Sequence, residues 1–291
     1  MKLTIPQIQV RHRSLILFEL IDSTSNFNSS LQLKRSTNMA IQQKKQYSGT
    51  LTVGTKKRLA KAIDLMCQSI KVQTIYSPVA MKTIKHRLSF ITLTVSKQEN
   101  ITAKEAYNKA FKHFIQWLRR TQKVTTYIWK AETQKRGQIH YHITTPSYIH
   151  FQDVRDRWNN LQRHAGWLER YKKNYGHYNP NSTDIHEVKQ VKDLSSYMIK
   201  EFCKTIQNQP TEGKIWDCSA NLKKIKYYRF DETRGNTIAI SDLIDEKKVD
   251  IIELEKCIVI RLKEHHPTAI MNLEQIKQYD DFITAIRNYK R

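Results

Sequence analysis

The chain has 291 residues, 39% of them apolar, which is enough for a well-packed core in one large domain or in a domain with appendages. Lys and Arg total 50 against 27 Asp and Glu, and this net charge of +23 favours a polyanionic partner: nucleic acid first, an anionic membrane surface second. No apolar run is long enough to cross a bilayer, and Arg11, His12 and Arg13 interrupt the apolar N-terminus, so we expect no membrane span, no signal peptide and a cytoplasmic location. The four cysteines form no CxxC pair, which argues against a zinc ribbon.

The first part of the chain combines a polar arm with a helix. Residues 1–48 include a long stretch rich in Ser, Asn and Gln, which is typical of a flexible or loosely packed arm. Residues 55–70 carry four apolar side chains at helical spacing and are predicted to form a helix. This helix begins the segment 49–206, which we predict to be the main folded domain.

The next elements are predicted from alternation and capping signals. Residues 89–96 alternate apolar side chains with Thr and Ser, which predicts a half-buried strand. A capping box begins a helix over 102–120. Two further strands are predicted at 124–132 and 138–144, joined by a turn at 135–137 that ends in Gly.

The end of this domain adds a helix at 152–162, a short strand at 184–188 and a helix at 194–206. The order strand, helix, hairpin, helix, strand, helix predicts an α+β fold. We expect a central, mainly antiparallel sheet with helices on one face, extended at both its N- and C-terminal ends.

The segment 207–291 is predicted to be a basic C-terminal extension, with a β-like run at 249–263 and a helix at 272–289. Cations alternate with aromatic residues near its start. Cations neutralise phosphates and aromatic rings stack on bases at roughly 1–3 kcal/mol each, so this stretch is a candidate DNA-binding surface. An equally good interpretation is a solvated basic strand whose tyrosines are half in the core. The candidate DNA-binding residues are Lys223, Lys224, Lys226, Tyr227, Tyr228 and Arg229.

A pair of histidines on the predicted strand 138–144 is the first candidate for chemistry. Side chains alternate along a strand, so His140 and His142 share one face while their apolar neighbours turn towards the helices. Glu132, across the predicted hairpin, can supply a carboxylate, and such a set holds a divalent cation with positions left open for substrate. A His-x-His pair alone is more often a half-exposed strand, and Glu132 could instead pair with Lys130 or Arg136.

The helix at 194–206 carries the second candidate. Its apolar residues form a buried stripe, and Tyr197, Lys200 and Lys204 share a more exposed face. A tyrosine beside cations loses its proton more easily than its reference pKa of roughly 10 suggests, and the lysines can hold a phosphate. Taken alone, however, this pattern is more often an ordinary tyrosine on a helix surface.

Together these motifs resemble the HUH endonuclease superfamily, in the form of rolling-circle replication initiators (Rep) of bacterial phages and plasmids. Residues 90–96 are similar to its first motif strand, 137–142 to its His-hydrophobic-His motif and 197–200 to its tyrosine motif. The metal motif precedes the tyrosine, which is the order in initiators and the reverse of the order in relaxases. The resemblance covers about residues 85–230. One departure is Glu201, which stands where two-tyrosine phage initiators carry their second tyrosine.

The resemblance implies an HUH/RRM-like fold and a specific chemistry. His140, His142 and Glu132 would hold Mg²⁺ or Mn²⁺, and Tyr197, assisted by Lys200, would nick DNA through a 5′-phosphotyrosine intermediate. The implied substrate is single-stranded DNA or an origin hairpin in the host bacterial cell, with host polymerase and helicase as partners.

Two alternatives stay open at this point. A single-tyrosine HUH transposase would use the same chemistry, although such chains are usually shorter. A non-catalytic nucleic-acid-binding module is the other alternative, because an antiparallel sheet with helices also describes RNA-recognition domains.

Overall fold

A computed structural model describes two compact units of this chain. The described residues are 6–18, 51–77, 81–96, 101–134, 137–188, 194–203, 213–254 and 257–289. The larger unit comprises Ser48–Ile225 and Ile283–Arg291, and the smaller unit comprises Met1–Tyr47 and Lys226–Phe282. Each unit contains its own five-stranded antiparallel sheet, which confirms the α+β fold class.

The helices and strands are short and numerous. The strands are β1 (Gln7–Val10), β2 (Ser14–Phe18), β3 (Gln73–Ser77), β4 (Lys82–His86), β5 (Ser89–Thr94), β6 (Ile128–Thr133), β7 (Ile139–Thr145), β8 (Thr183–Glu187), β9 (Trp216–Cys218), β10 (Arg229–Asp231), β11 (Val249–Leu254) and β12 (Cys257–Leu262). The helices are α1 (Val53–Ser69), α2 (Ala103–Ala106), α3 (Lys112–Arg120), α4 (Phe151–His164), α5 (Glu169–Tyr175), α6 (Leu194–Cys203), α7 (Ala220–Lys224), α8 (Arg234–Asp245) and α9 (Leu273–Arg287). A π-helical turn, Tyr107–Phe111, joins α2 to α3, and a 3-10 helix spans Pro267–Ile270.

The sheet of the larger unit has the strand order β8-β5-β7-β6-β9. The predicted alternation of β5 is confirmed, since Ile91 and Leu93 are fully buried while Phe90, Thr92 and Thr94 are half-buried. The predicted strand at 124–132 begins only at Ile128, and the other predicted strands of this sheet match to within a few residues. A separate hairpin of β3 and β4, which was not predicted, lies outside this sheet.

Helices α2, α3 and α4 cover one face of this sheet and form its core. The predicted N-cap is confirmed, because Thr102 Oγ1 accepts a hydrogen bond of 3.1 Å from the backbone N–H of Glu105. Phe111, in the π-helical turn, stacks on Tyr141 of β7 with ring centroids 3.7 Å apart. Both rings are fully buried, and burying side chains of this size contributes about 2–3 kcal/mol each. The apolar face of β7 is therefore fixed against the helices.

A further helix lies against the opposite face. Met198 and Phe202 of α6 are buried, and the Phe202 ring lies 6.3 Å from the ring of Phe90 on β5. Helix α1 packs against α6 on its other side. Helices thus contact both faces of the sheet, whereas the order of elements predicted them on one face. That order does not reveal which face a later helix covers.

The smaller unit has the strand order β10-β1-β2-β12-β11. Its hairpin of β11 and β12 matches the predicted β-like run, and α9 matches the predicted helix at 272–289. Strands β1 and β2 fall within the segment 1–48 that was predicted to be an arm, and the polar stretch behind that prediction, 19–50, lies outside the described residues. Since β1 pairs with β10, about two hundred residues later, the division of the chain differs from the predicted segments 1–48, 49–206 and 207–291. Among the described residues, no helix is long and apolar enough to cross a membrane.

Candidate active site

The two histidines lie on β7, the central strand of the larger unit's sheet, with side chains from both neighbouring strands around them. His140 is directly opposite Glu132 of β6 and Thr94 of β5. His142 follows two residues later on the same face. Side chains that are opposite one another in adjacent strands are close enough to interact, so the hairpin brings the carboxylate beside both imidazoles.

Both ring nitrogens of His142 have partners. Its Nε2 lies 2.9 Å from Glu132 Oε1, and its Nδ1 lies 3.1 Å from Thr92 Oγ1. A carboxylate only accepts, so Nε2 donates to Glu132 and, in the neutral ring, Nδ1 accepts from the threonine hydroxyl. These two contacts fix the orientation of the imidazole plane.

His140 has a partner at one nitrogen only. Its Nδ1 lies 3.3 Å from Gln134 Nε2 and 3.5 Å from Thr94 Oγ1, while its Nε2 is buried with no hydrogen-bond partner among the described residues. Burial lowers the pKa of His140 to about 4, with the nearby His142 adding to this effect and Glu132 opposing it. The imidazole is therefore neutral near pH 7, which is the form that binds metals.

Glu132 contacts two cationic or potentially cationic groups. One of its oxygens faces His142, and the other, Oε2, lies 3.3 Å from Lys130 Nζ. Burial would raise the pKa of Glu132, but the hydrogen bond from His142 and the charges of His142 and Lys130 outweigh it and lower this pKa. The alternative pairing with Lys130 is thus present, and it coexists with the contact to the histidine.

The donor set fits a divalent cation in its chemistry, although the ligands are not gathered around one point. Two imidazoles and a carboxylate are suitable ligands for an ion such as Mn²⁺, and His140 Nε2 is an available ligand atom. The imidazole centroids are 6.3 Å apart, and within the described ranges no three His, Cys, Asp or Glu side chains are grouped so that they could hold an ion as they stand. An ion would have to take the place of the hydrogen bond between His142 and Glu132.

Helix α6 presents the candidate nucleophile to the surface. Met198 and Phe202 anchor the helix, whereas 43% of Tyr197 is exposed and Lys200 is also exposed. The predicted buried stripe and exposed face are therefore both seen. Lys204 lies outside the described residues.

Phe90 connects this helix to the histidines. Its ring centroid lies 5.5 Å from that of His142, 6.3 Å from that of Phe202 and 5.2 Å from that of His186 on β8. Because one ring contacts both β7 and α6, the helix that carries Tyr197 packs on the sheet face that carries the imidazoles.

Several residues of this site were not identified from the sequence. Phe90, Thr92 and Thr94 come from β5, and Gln134 follows β6. Their signal was the alternation of β5, which places its polar residues on one face. That signal could not be used without knowing that β5 pairs with β7.

The predicted DNA-binding stretch is divided between the two units. Lys223 and Lys224 lie on the short helix α7 in the larger unit, so the interpretation as one basic strand is wrong for them. Lys223 Nζ lies 2.5 Å from Asp217 Oδ1, and Lys214 contacts the other oxygen of the same carboxylate. Lys224 is exposed.

The rest of the stretch belongs to the smaller unit. The Arg11 guanidinium lies 4.4 Å from the ring centroid of Tyr227, and Arg229 donates two hydrogen bonds, of 2.7 and 3.0 Å, to Gln9 Oε1. The Tyr228 hydroxyl lies 3.1 Å from an oxygen of Gln278. Lys226 is exposed, whereas the two tyrosines are half-buried, as the second interpretation of this stretch predicted.

Comparison with known proteins identifies the segment that contains the site. Residues 88–206 match the family model described as replication-associated protein ORF2. No curated protein and no solved structure matches the chain. The matched residues include β5 to β8 and α6, and so include both histidines, Glu132 and Tyr197. The resemblance to a rolling-circle replication initiator is thereby confirmed, and over residues 88–206 the chain is similar to the replication-associated proteins of this family.

Proposed function

We propose that this protein nicks and rejoins single-stranded DNA at a specific site on one strand, and so initiates rolling-circle replication. The proposal rests chiefly on Phe90, whose ring contacts both His142 and the helix of Tyr197. A possible metal-binding set and a possible nucleophile thus occupy one sheet face. The match of the same segment to replication-associated proteins gives this pairing its biological setting.

His140, His142 and Glu132 would hold the divalent cation, Mg²⁺ or Mn²⁺. When bound, the ion would polarise the scissile phosphate and offset its negative charge. Thr92 and Gln134 keep the two imidazoles in one orientation through their hydrogen bonds to the ring Nδ1 atoms. Partners of this kind hold metal-ligating histidines in the correct tautomer.

The proposed reaction is a transesterification. Tyr197 Oη attacks the phosphorus, and the bond from phosphorus to the 3′-oxygen breaks as the new bond to tyrosine forms. The phenol loses one proton to solvent and the departing 3′-oxygen gains one, which leaves a free 3′-hydroxyl for a host polymerase to extend. Lys200, exposed on the same helix, would neutralise a phosphate oxygen. Attack by a 3′-hydroxyl on the phosphotyrosine reverses the reaction, so the strand is rejoined without ATP.

Covalent trapping tests this proposal. The protein is incubated with Mn²⁺ and single-stranded oligonucleotides that carry hairpins of randomised loop sequence, and the products are separated on a denaturing gel. We expect a protein–DNA adduct that mass spectrometry assigns to Tyr197, and none when EDTA replaces Mn²⁺. An adduct on Tyr227 or Tyr228, or cleavage with no adduct at all, would contradict the proposed nucleophile. Binding without cleavage would favour a non-catalytic module.

A further inference from the structure

Helix α5 contributes nothing to the hydrophobic core. None of its residues, Glu169–Tyr175, is buried. It is held at its ends: Trp167 and Leu168 before it are buried, and Gly176 after it adopts φ +78, with its N–H donating to Lys172 O at 2.8 Å. Core packing therefore does not account for the aromatic residues of this helix.

Three aromatic rings are grouped on this exposed segment. The rings of Tyr171 and Tyr175 are 4.6 Å apart at an interplanar angle of 33°, and His177 meets Tyr171 edge-on at 5.4 Å. Tyr175 remains 63% exposed. Large aromatic side chains are normally buried on folding, so a ring left open beside a second ring is available to stack on a ligand.

The same segment is strongly cationic. Arg170, Lys172 and Lys173 are exposed, and Glu169 is the only acidic residue in 169–178. That carboxylate accepts hydrogen bonds of 3.0 and 3.1 Å from the hydroxyl of Tyr178, which closes the segment on itself. The charge around the rings is therefore that of a surface for an anionic ligand.

The segment leads directly into the candidate active site. Ser182, just before β8, accepts a backbone hydrogen bond of 2.8 Å from Thr94 of β5. Thr94 Oγ1 in turn lies 3.5 Å from His140 Nδ1. A strand of DNA held on the segment would thus be bound by chain that continues into the edge of the catalytic sheet.

We propose that residues 169–178 form a single-stranded DNA platform, on which bases stack against Tyr175 and Tyr171 while Arg170, Lys172 and Lys173 neutralise the adjoining phosphates. Stacked aromatic side chains flanked by cations are the general means by which proteins hold single strands without reading their sequence. The proposal rests on the proposed function, because the bound strand is taken to be the DNA that Tyr197 cuts.

Fluorescence anisotropy of the full-length chain tests the aromatic part. The probe is a labelled oligothymidylate of about 20 nucleotides, with EDTA present to prevent cleavage. The double variant Tyr171→Ala, Tyr175→Ala is expected to bind about 10- to 100-fold more weakly, since each stacked ring is worth a several-fold change. Tyr175→Phe keeps the stacking ring and should bind as the parent does. The matched control is Tyr76→Ala on β3, which removes a tyrosine that is 60% exposed outside the segment.

Salt dependence tests the cationic part. Replacing Lys172 and Lys173 by Ala removes two phosphate contacts, so the slope of log affinity against log salt should fall by about 1.4. Circular dichroism should be unchanged in all variants, because no buried side chain is altered.

The outcomes separate this proposal from the proposed function. Parental affinity in the double variant, an equal loss in Tyr76→Ala, or a loss confined to RNA of the same length would overturn the platform. If Tyr197 still forms its adduct in those cases, only the platform is wrong. If the double variant loses affinity but the parent forms no adduct, the platform is retained as a single-strand binding site and the nickase proposal is wrong.

Discussion

At the scale of single residues, His140 is costly to the fold. A buried polar atom that lacks a hydrogen bond costs about 1–3 kcal/mol, and His140 Nε2 is such an atom among the described residues. An apolar side chain would avoid this cost. The metal site proposed above accounts for it, because a bound cation would satisfy that nitrogen.

His140→Ala is therefore expected to remove stabilisation by Mn²⁺. A ligand that binds only the folded state raises the unfolding temperature, so millimolar Mn²⁺ should raise that of the parent and leave that of the variant unchanged. Tryptophan fluorescence on heating measures this in the relevant part, since all five tryptophans lie in the larger unit. His186→Ala, which removes an exposed histidine from β8, is the control and should respond to Mn²⁺ as the parent does. An unaltered response of His140→Ala would contradict the ligand assignment.

Tyr197→Phe and Lys200→Ala are expected to differ in kind. The first removes the attacking oxygen, so adduct formation should be abolished, and the second removes a charge that assists, so the rate should fall roughly 10- to 100-fold. Both side chains are exposed, so unfolding free energies should stay within about 0.5 kcal/mol of the parent. Quenched-flow or time-course gels measure the rates. Residual adduct formation by Tyr197→Phe would mean that another residue attacks.

At the scale of elements, local patterns identified the strands and helices but not their neighbours. The alternation of β5 and the N-cap at Thr102 are signals carried by adjacent residues, so both elements were predicted correctly. The contacts of Phe90 with His142 and Phe202 depend on which strand lies beside β5 and which face α6 covers. Such pairings join distant parts of the chain, and a single sequence contains no direct record of them.

Strand β9 illustrates a contact of this kind, because a carboxylate joins it to α7. Asp217 accepts hydrogen bonds from Lys214, from Lys223 and from the backbone N–H of Cys218. Burial would raise the pKa of Asp217, but these donors and the lysine charges outweigh it and lower this pKa. The ionised carboxylate therefore stabilises the folded state above the unfolded-state pKa of about 4, and this contribution is lost as the pH falls through the lower folded-state value.

Asp217→Asn is thus expected to destabilise the larger unit at pH 7 by about 1 kcal/mol, a value kept small because both lysines are half-exposed. Below the folded-state pKa of Asp217 the variant and parent should converge. Urea unfolding followed by tryptophan fluorescence at both pH values measures the difference. Asp184→Asn, at a carboxylate that is 69% exposed, should change nothing at either pH. A constant penalty across the pH range would mean that the loss comes from packing and not from charge.

At the scale of the whole molecule, the two units have separate sheets and are joined by chain that enters the smaller one twice. Strands β1 and β2 precede the larger unit in sequence, yet they are central strands of the sheet that β10, β11 and β12 complete. The smaller unit therefore depends on pairing between the two ends of the chain. The matched segment 88–206 lies entirely within the larger unit.

A pair of leucines in the smaller sheet tests whether the larger unit keeps its fold and activity without the smaller one. Leu15 of β2 is fully buried, whereas Leu254 of β11 is 55% exposed. Leu15→Asp introduces an unpaired buried charge, a change large enough to unfold a marginally stable unit, and Leu254→Asp should be tolerated. In Leu15→Asp, hydrogen exchange should show β11 and β12 losing amide protection, because an isolated hairpin is at best marginally stable in water. The amides of β5 and β7, the tryptophan fluorescence and the adduct on Tyr197 should be retained. Loss of protection in β5 and β7 as well would mean that the two units fold as one, and that the smaller unit is required for the chemistry of the larger.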